Sequence, residues 1–261
     1  MSAQEIVRLM NEEEKIVLRA LDDAEADLAE VAEKAAEAYE NGGRVVYMGA
    51  GTSGRIAVMD AAEMLPTFGV EDGRFIAVIP GGDAAMAHAV ENAEDDEHAA
   101  ITAINELKLT AKDVVIGLAA SGRTAFVIAG VKHAMQKGVW TCGIANNPNA
   151  PLLHIADKGV LLDTGPEVLT GSTRLKAGTA QKLALNRIST TAMVLNHKVV
   201  ENLMVDVKAT NAKLKDRCAR IVCELCTATF DEAWTLLEEN GWCIRTVLGV
   251  WKARQTQPAA H

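Results

Sequence analysis

Arg44-Val-Val-Tyr-Met-Gly-Ala-Gly-Thr-Ser-Gly-Arg55 and Val114-Val-Ile-Gly-Leu-Ala-Ala-Ser-Gly-Arg-Thr124 carry one pattern twice. Each opens on a short apolar, β-branched run, turns through glycine and serine, and leads into helical spacing. Short apolar runs bounded by turn residues read as strands buried on both faces. Working outward, Phe75–Ile79, Val139–Ala145 and Gly159–Leu162 read as further strands beside Arg44–Met48 and Val114–Leu118. Helical spacing fills the intervals over Arg55–Met64, from Pro80-Gly81-Gly82 through Leu107, over Thr124–Gln136, and from about Thr173 to Leu195. Strands alternating with helices imply parallel pairing with helices on both faces. The expected core is α/β, a three-layer αβα sandwich on a parallel sheet spanning residues 41–208.

Residues 1–40 carry apolar side chains at three- and four-residue spacing among acids and lysines, an amphipathic helical segment broken once near Asn11 and stopped by Asn41-Gly42-Gly43. It is expected to pack on the core or on a partner subunit. Residues 209–261 read as helices only, with a start near Thr227–Ala233, a stop at Glu239-Asn240-Gly241 and a Gln-Pro-rich tail from Gln255. Three short helices fit there, a small C-terminal helical bundle.

With 261 residues and 49% apolar content, the chain can bury one large core and a small appendage. A net charge of −9 argues against a nucleic-acid partner, which would need a basic face. It leaves room for a small phosphorylated ligand, since one helix N-terminus binds phosphate locally. No apolar stretch is long enough to span a bilayer and no secretory leader is visible at Met1-Ser-Ala-Gln-Glu5, so a soluble cytoplasmic protein is expected. Five cysteines, an odd count, read as free thiols in a reducing compartment. Cys223-Glu-Leu-Cys226 is formally C-x-x-C, but lacks a second ligand pair and falls mid-helix; buried small side chains are the simpler reading, and no metal site is expected.

Gly49-Ala-Gly-Thr-Ser-Gly54 is literally G-x-G-x-x-G, yet Ile79 is followed by Pro80-Gly81-Gly82, not by the acidic residue a dinucleotide domain places after its second strand. The recurrence of Ser-Gly-Arg at Ser53 and Ser121 is the better clue. Hydroxyls and glycine at a helix N-terminus suit a phosphate ester: backbone N–H groups point at the anion, glycine allows close approach, and hydroxyls donate further bonds. Thr52, Ser53, Ser121, Arg123 and Thr124 are the candidate phosphate- and sugar-binding residues. Arg55 and Arg123 serve equally as helix caps or partners of local acids. Ser172, Arg174 and Lys176 precede the long helix, where they complete the site or simply begin the helix. His88, a lone histidine near apolar residues, reads more readily as structural.

At these loops the sequence resembles the sugar isomerase (SIS) domain, in its N-acetylmuramic acid 6-phosphate etherase branch. The resemblance continues through Asp60–Gly69, Ala89–Asp95, Thr170–Lys182 and Asn202–Asn211. It implies the SIS fold, a UBA-like C-terminal domain, a homodimer, and cleavage of the lactyl ether to N-acetylglucosamine 6-phosphate and D-lactate within cell-wall amino sugar recycling. It also implies that Glu63 and Glu94 are the catalytic carboxylates. The chain departs from the family pattern in starting late, in Met64-Leu65-Pro66 after Glu63, in Ala125 where a proline is usual, and in a short end. The glucokinase regulatory protein, a related sugar-phosphate binder without catalysis, and the SIS aldose–ketose isomerases mark the alternatives.

An ether resists hydrolysis because alkoxide leaves poorly; elimination avoids this. In the open-chain sugar the C2 proton is acidified by the aldehyde, so one base at C2 and one acid at the departing oxygen suffice, with no cofactor. Glu63, in an apolar setting, is expected to stay protonated and act as the acid; Glu94, in a solvated acidic stretch, as the base. By residue pattern alone that stretch reads as a solvated face.

Overall fold

The protein is described from a computed structural model, which covers residues 1–88, 90 and 92–256. Ala89 and Glu91, inside one of the family-like segments, and the end of the tail after Thr256 lie outside the described residues. The chain divides into two compact units. The first comprises Met1–Ala62 and Gly73–Ala192; the second takes Glu63–Asp72 and the residues from Met193 onward. Residues 1–40 therefore cluster with the sheet, and residues 193–208 with the C-terminal helices.

The first unit holds an all-parallel sheet in the order β2-β1-β3-β4-β5. The strands are β1 (Val45–Gly49), β2 (Phe75–Val78), β3 (Val114–Leu118), β4 (Trp140–Ala145) and β5 (Lys158–Leu161). β1 and β3 pair in register from Val45↔Val114 to Gly49↔Leu118 and are buried along their whole length. Alternate residues of β1 face opposite layers, as strand geometry requires. Val46 and Met48 join a cluster with Ala100, Ile104, Phe126 and Val127. Tyr47 faces the other way and donates its hydroxyl to Asp60. The helices concerned are α3 (Gly51–Phe68), α5 (Glu97–Leu107) and α6 (Ala125–Gln136), and the three-layer sandwich follows.

The N-terminal helices are α1 (Ala3–Asp23), begun by a Ser2/Glu5 capping box, and α2 (Glu25–Glu40). The break falls at Ala24, not near Asn11, which lies inside α1. Ala24 is buried and nearly bridge-region in conformation, so packing of the turn decides the break where propensity does not. The stretch from Pro80 to Leu107 also differs from expectation: instead of one helical run it holds a single turn α4 (Ala84–Ala87), a 3₁₀ turn (Ala93–Asp95) and then α5, capped by Asp96. Gly81, Gly82 and Asn92 adopt positive φ there and interrupt the helical period. After a single turn α7 (Leu152–Ile155), α8 (Lys176–Leu195) starts three residues later than the spacing suggested.

In the second unit, a short antiparallel pair, β6 (Val199–Val200) and β7 (Leu203–Met204), precedes α9 (Ala212–Cys226), α10 (Phe230–Glu239) and α11 (Ile244–Thr256). Cys218, Val222, Leu236, Leu237, Ile244 and Val247 form the core of these helices. α10 starts at a Thr229/Glu232 capping box, while Thr227 ends α9 in a left-handed conformation. Cys226 is buried and Cys223 half-buried in α9, and burial pushes both thiols up. α11 continues through Gln255, where the tail was expected to begin.

Candidate active site

Strand order reverses between β1 and β3, because the chain leaves β1 for β2 on one side and returns to β3 on the other. In open parallel sheets, ligands bind in the crevice outside the carboxyl ends of the strands at such a point. The two Ser-Gly turns occupy that position on adjacent strands.

The first turn is tight. A Cβ on Gly54 would lie 2.5 Å from Gly49 O and 2.7 Å from Ile79 Cγ1, so only glycine lets α3 begin directly on the strand end. Thr52 is half-buried, and Ser53 is buried, not displayed. In the second turn Gly122 has φ +62°, and a Cβ there would meet Ala150 Cβ at 2.2 Å. Backbone N–H groups of Asn146 and Leu152 donate to Ala120 and Gly122 carbonyls, holding the turn against the ends of β4 and α7. Ser121 is exposed, with its hydroxyl accepting from Arg123 N at 3.2 Å. Arg123 is exposed, and Thr124 sits at the N-cap of α6 with no side-chain bond to the helix, leaving its hydroxyl and the first-turn amides to a ligand.

The start of α8 approaches the first turn closely: a Cβ on Gly178 would lie 3.3 Å from Thr52 Cγ2. Three of its anion-seeking groups are engaged within the chain. Lys176 N and Ala177 N donate to the Glu167 carboxylate, and the buried Lys176 ammonium pairs with Glu13 of α1. Lys176, expected among the substrate-binding residues, is thus buried in an ion pair within the chain. Ser172 is half-buried in the preceding turn, and Arg174 is exposed.

Glu94 lies exposed on the 3₁₀ turn and borders a cavity of about 240 Å³ shared with Ala50, Gly51, Arg55, Pro80 and His88. The structure therefore brings Glu94 to the first Ser-Gly turn. Arg55 crosses this cavity's wall, donating from Nε to Ala85 and Met86 carbonyls at 3.0 and 3.1 Å and from Nη2 to His88 carbonyl at 3.0 Å. These carbonyls belong to the single turn α4 and its C-cap His88, so Arg55 caps that turn, one of the roles expected of it, and meets no acid in these bonds. His88 contributes its carbonyl, and its side chain is exposed. Glu63 lies on α3 in the second unit and is exposed, as is Leu65 nearby, so among the described residues it is not buried in the apolar surroundings expected for it.

Sequence reasoning passed over three groups. Asp60 is buried in α3, where its carboxylate accepts from Tyr47 OH (3.0 Å), Asn186 Nδ2 (2.7 Å) and Ser189 Oγ (3.1 Å). Burial pushes its carboxyl above the usual range despite those donors. Asn146 bridges Leu162 carbonyl and the Gln181 amide, joining β4 to α8 beside the second turn. Glu167 closes the helix start already described. Asp60 opens the family-like stretch Asp60–Gly69, but nothing in its spacing marked it as buried.

Sequence comparisons place these features. A family model described as the glucokinase regulatory protein N-terminal SIS domain matches residues 27–135, and the SIS domain matches residues 84–188. The N-acetylmuramic acid 6-phosphate etherase of Staphylococcus aureus strain N315 is 48% identical over 252 residues, 96% of this chain and 84% of that protein. The enzyme of the same name from Salmonella typhi is 46% identical over 248 residues, 95% of this chain and 84% of its own. The chain belongs to the N-acetylmuramic acid 6-phosphate etherase family.

Solved structures agree on the fold. The phosphoheptose isomerase of Neisseria gonorrhoeae superposes with a TM-score of 0.55 at 24% identity, over 73% of this chain and 99% of that one. That of Francisella tularensis gives 0.56 at 17% identity, over 76% and 100%. At these identities the likeness extends to the SIS architecture and no further. Membership of the etherase family rests on the relatives that match almost end to end.

Proposed function

We infer that this protein is an N-acetylmuramic acid 6-phosphate etherase, a carbon–oxygen lyase that releases D-lactate and leaves N-acetylglucosamine 6-phosphate. Near-end-to-end identity of 46–48% to proteins of that name supports the reaction class. One structural observation carries the site: the twin Ser-Gly turns lie side by side at the carboxyl ends of β1 and β3, with Glu94 on the cavity next to the first.

In this reading Thr52, Ser121 and Thr124 hydroxyls and the first-turn amides of α3 and α6 hold the phosphoryl group, with Arg123 adding charge. Buried Ser53 shapes the turn. Ser172 and Lys176 belong to the α8 start beside Thr52, and Lys176 reaches substrate only by exchanging Glu13. The Glu94 carboxylate takes the C2 proton of the open-chain sugar. The C3–O bond breaks, and Glu63 supplies the proton with which lactate departs. Water then adds across the C2=C3 bond, hydroxyl to C3 and proton to C2, completing the product. Substrate or a partner surface gives exposed Glu63 a drier setting. A homodimer supplies such a surface, and the N-terminal segment 1–40 and the bundle 209–261 are its candidate contributors. Sugar phosphates are charged and stay where they are made, and all five cysteines are unpaired, which together favour the cytoplasm. Among the described residues no helix is long and apolar enough to cross a membrane.

The test is lactate release from pure N-acetylmuramic acid 6-phosphate. Glu63→Gln and Glu94→Gln are each expected to lower kcat about 10²–10⁴-fold, the usual worth of a positioned acid or base, with binding of the sugar phosphate largely kept. Undiminished turnover by both variants would refute the assignment, and no lactate from the unaltered protein would refute the activity. The regulator reading predicts binding without lactate; the isomerase reading predicts a ketose product.

A further inference from the structure

We propose that Arg55 is a positioning residue for Glu94, tying the segment that carries the carboxylate to the helix that begins the phosphate site. This rests on the reading of Glu94 as the base at C2.

Glu94 stands on a weak foundation. Between the end of β2 at Val78 and the start of α5 at Glu97, the described regular structure is one helical turn (Ala84–Ala87) and one 3₁₀ turn (Ala93–Asp95), with no strand pairing. A base that must reach a C–H bond has to be held far more closely than such a connection holds itself; about 1 Å of misplacement costs on the order of a hundredfold in rate. Among the described residues, three features help to fix this connection. Gly81 (φ +87°) lies against Val90, where a Cβ would come within 2.9 Å of Cγ2. The 3₁₀ turn packs on α6. Arg55 is the third, and of these three it alone reaches the connection from α3.

Its geometry is specific. Arg55 directly follows Gly54 in the first turn of α3, so its guanidinium is carried by the same turn as Thr52 and Ser53. From there it bonds the Ala85, Met86 and His88 carbonyls at 3.0, 3.1 and 3.0 Å. Ala85 and His88 line the same cavity as Glu94. A planar fork serves several acceptors at fixed angles, which a lysine ammonium on a flexible stem does not. Nε–H and one Nη2–H of the guanidinium are thus committed to backbone carbonyls. A direct phosphate ligand would act on substrate binding; a strut between phosphate turn and base acts on the chemical step once substrate is seated.

The experiment compares full-length Arg55→Lys, Arg55→Gln, Arg55→Ala and Glu94→Gln with the unaltered protein, using N-acetylmuramic acid 6-phosphate and a lactate assay. Thermal midpoints establish folding, and binding of N-acetylglucosamine 6-phosphate establishes that the phosphate site persists. Arg55→Lys is expected to lose about a hundredfold in kcat with KM changed by about threefold at most. Millimolar guanidinium is expected to restore part of the kcat of Arg55→Ala; if that variant does not fold, Arg55→Gln takes its place. Normal kcat in Arg55→Lys overturns the proposal. So does a large rise in KM at unchanged kcat, which would make Arg55 a phosphate ligand, and so does failure of guanidinium to rescue a folded Arg55→Ala or Arg55→Gln. Normal turnover by Glu94→Gln would instead remove the reading on which the proposal rests, whatever the Arg55 variants do.

Discussion

At the scale of single residues, an ion pair between Arg44 and Asp113 closes the end of the sheet away from the site. Asp113, nearly buried at the start of β3, accepts from Arg44 Nε at 2.9 Å and Nη2 at 3.0 Å, and from Thr110 N. Burial pushes its carboxyl up, but the Arg44 guanidinium and the Thr110 N–H outweigh burial and hold it below the usual range. A carboxyl whose folded value is depressed adds stability above its unfolded value, and that stability is lost as pH falls through the folded value. Asp113→Ala is therefore expected to cost about 2–4 kcal/mol near neutral pH, by stranding Arg44 and Thr110 N. In urea titrations the gap between variant and unaltered protein should close as the pH drops into the carboxylate range; a gap constant with pH contradicts the linkage. Legibility at this scale was uneven. The Ser-Gly turns were readable because their chemistry repeats in sequence. Lys176 was not, because its partner Glu13 lies 163 residues away. Arg55 was readable as a helix cap, but not which turn it caps, because its acceptors are backbone carbonyls, which any sequence supplies.

At the scale of elements, α3 is held by Asp60, which receives β1 through Tyr47 and α8 through Asn186 and Ser189. Asp60→Ala leaves three donors without an acceptor, at about 1–3 kcal/mol each where water does not enter, so a loss of at least about 3 kcal/mol is expected. Asp60→Asn keeps the shape and one acceptor, and the hydroxyls of Tyr47 and Ser189 can turn to accept. Since burial raises the Asp60 carboxyl, its ionisation opposes folding as pH rises through the folded value, and the asparagine variant escapes that cost. Thermal midpoints should rank unaltered protein and Asp60→Asn well above Asp60→Ala; equal loss in both variants would show the carboxylate charge itself to be needed. Element type was legible wherever apolar period and length agreed, as in β1, β3, α6 and α8. It failed from Ala84 to Asp96, where positive-φ backbone breaks a helical period that composition alone sustains.

At the scale of the whole molecule, alternation of strand and helix foretold the parallel sheet and the trailing helices, but not the strand order, which depends on which side of β1 each crossover returns. That order is what sets two sequence repeats side by side at the carboxyl ends of β1 and β3. The proposed homodimer belongs here as well. α1 leaves Ile6, Val7, Leu9 and Leu18 exposed, more apolar surface than one helix needs to show to water. Sedimentation equilibrium at micromolar concentration is expected to return twice the chain mass of 27.8 kDa. A species of single chain mass would remove the dimer from the reading.

The pairing of β1 with β3 also governs how the chain comes into being. Arg44 and Asp113 stand 69 residues apart, and Val45, Val46, Tyr47 and Met48 of β1 have strand neighbours on both sides only after β3 has been made. During synthesis, at roughly 5–20 residues per second, Val45-Val-Tyr-Met-Gly49 must wait several seconds outside the ribosome with the edge that pairs with β3 bare. Chaperone demand for this protein should therefore peak early in translation and fall once the second Ser-Gly turn has emerged.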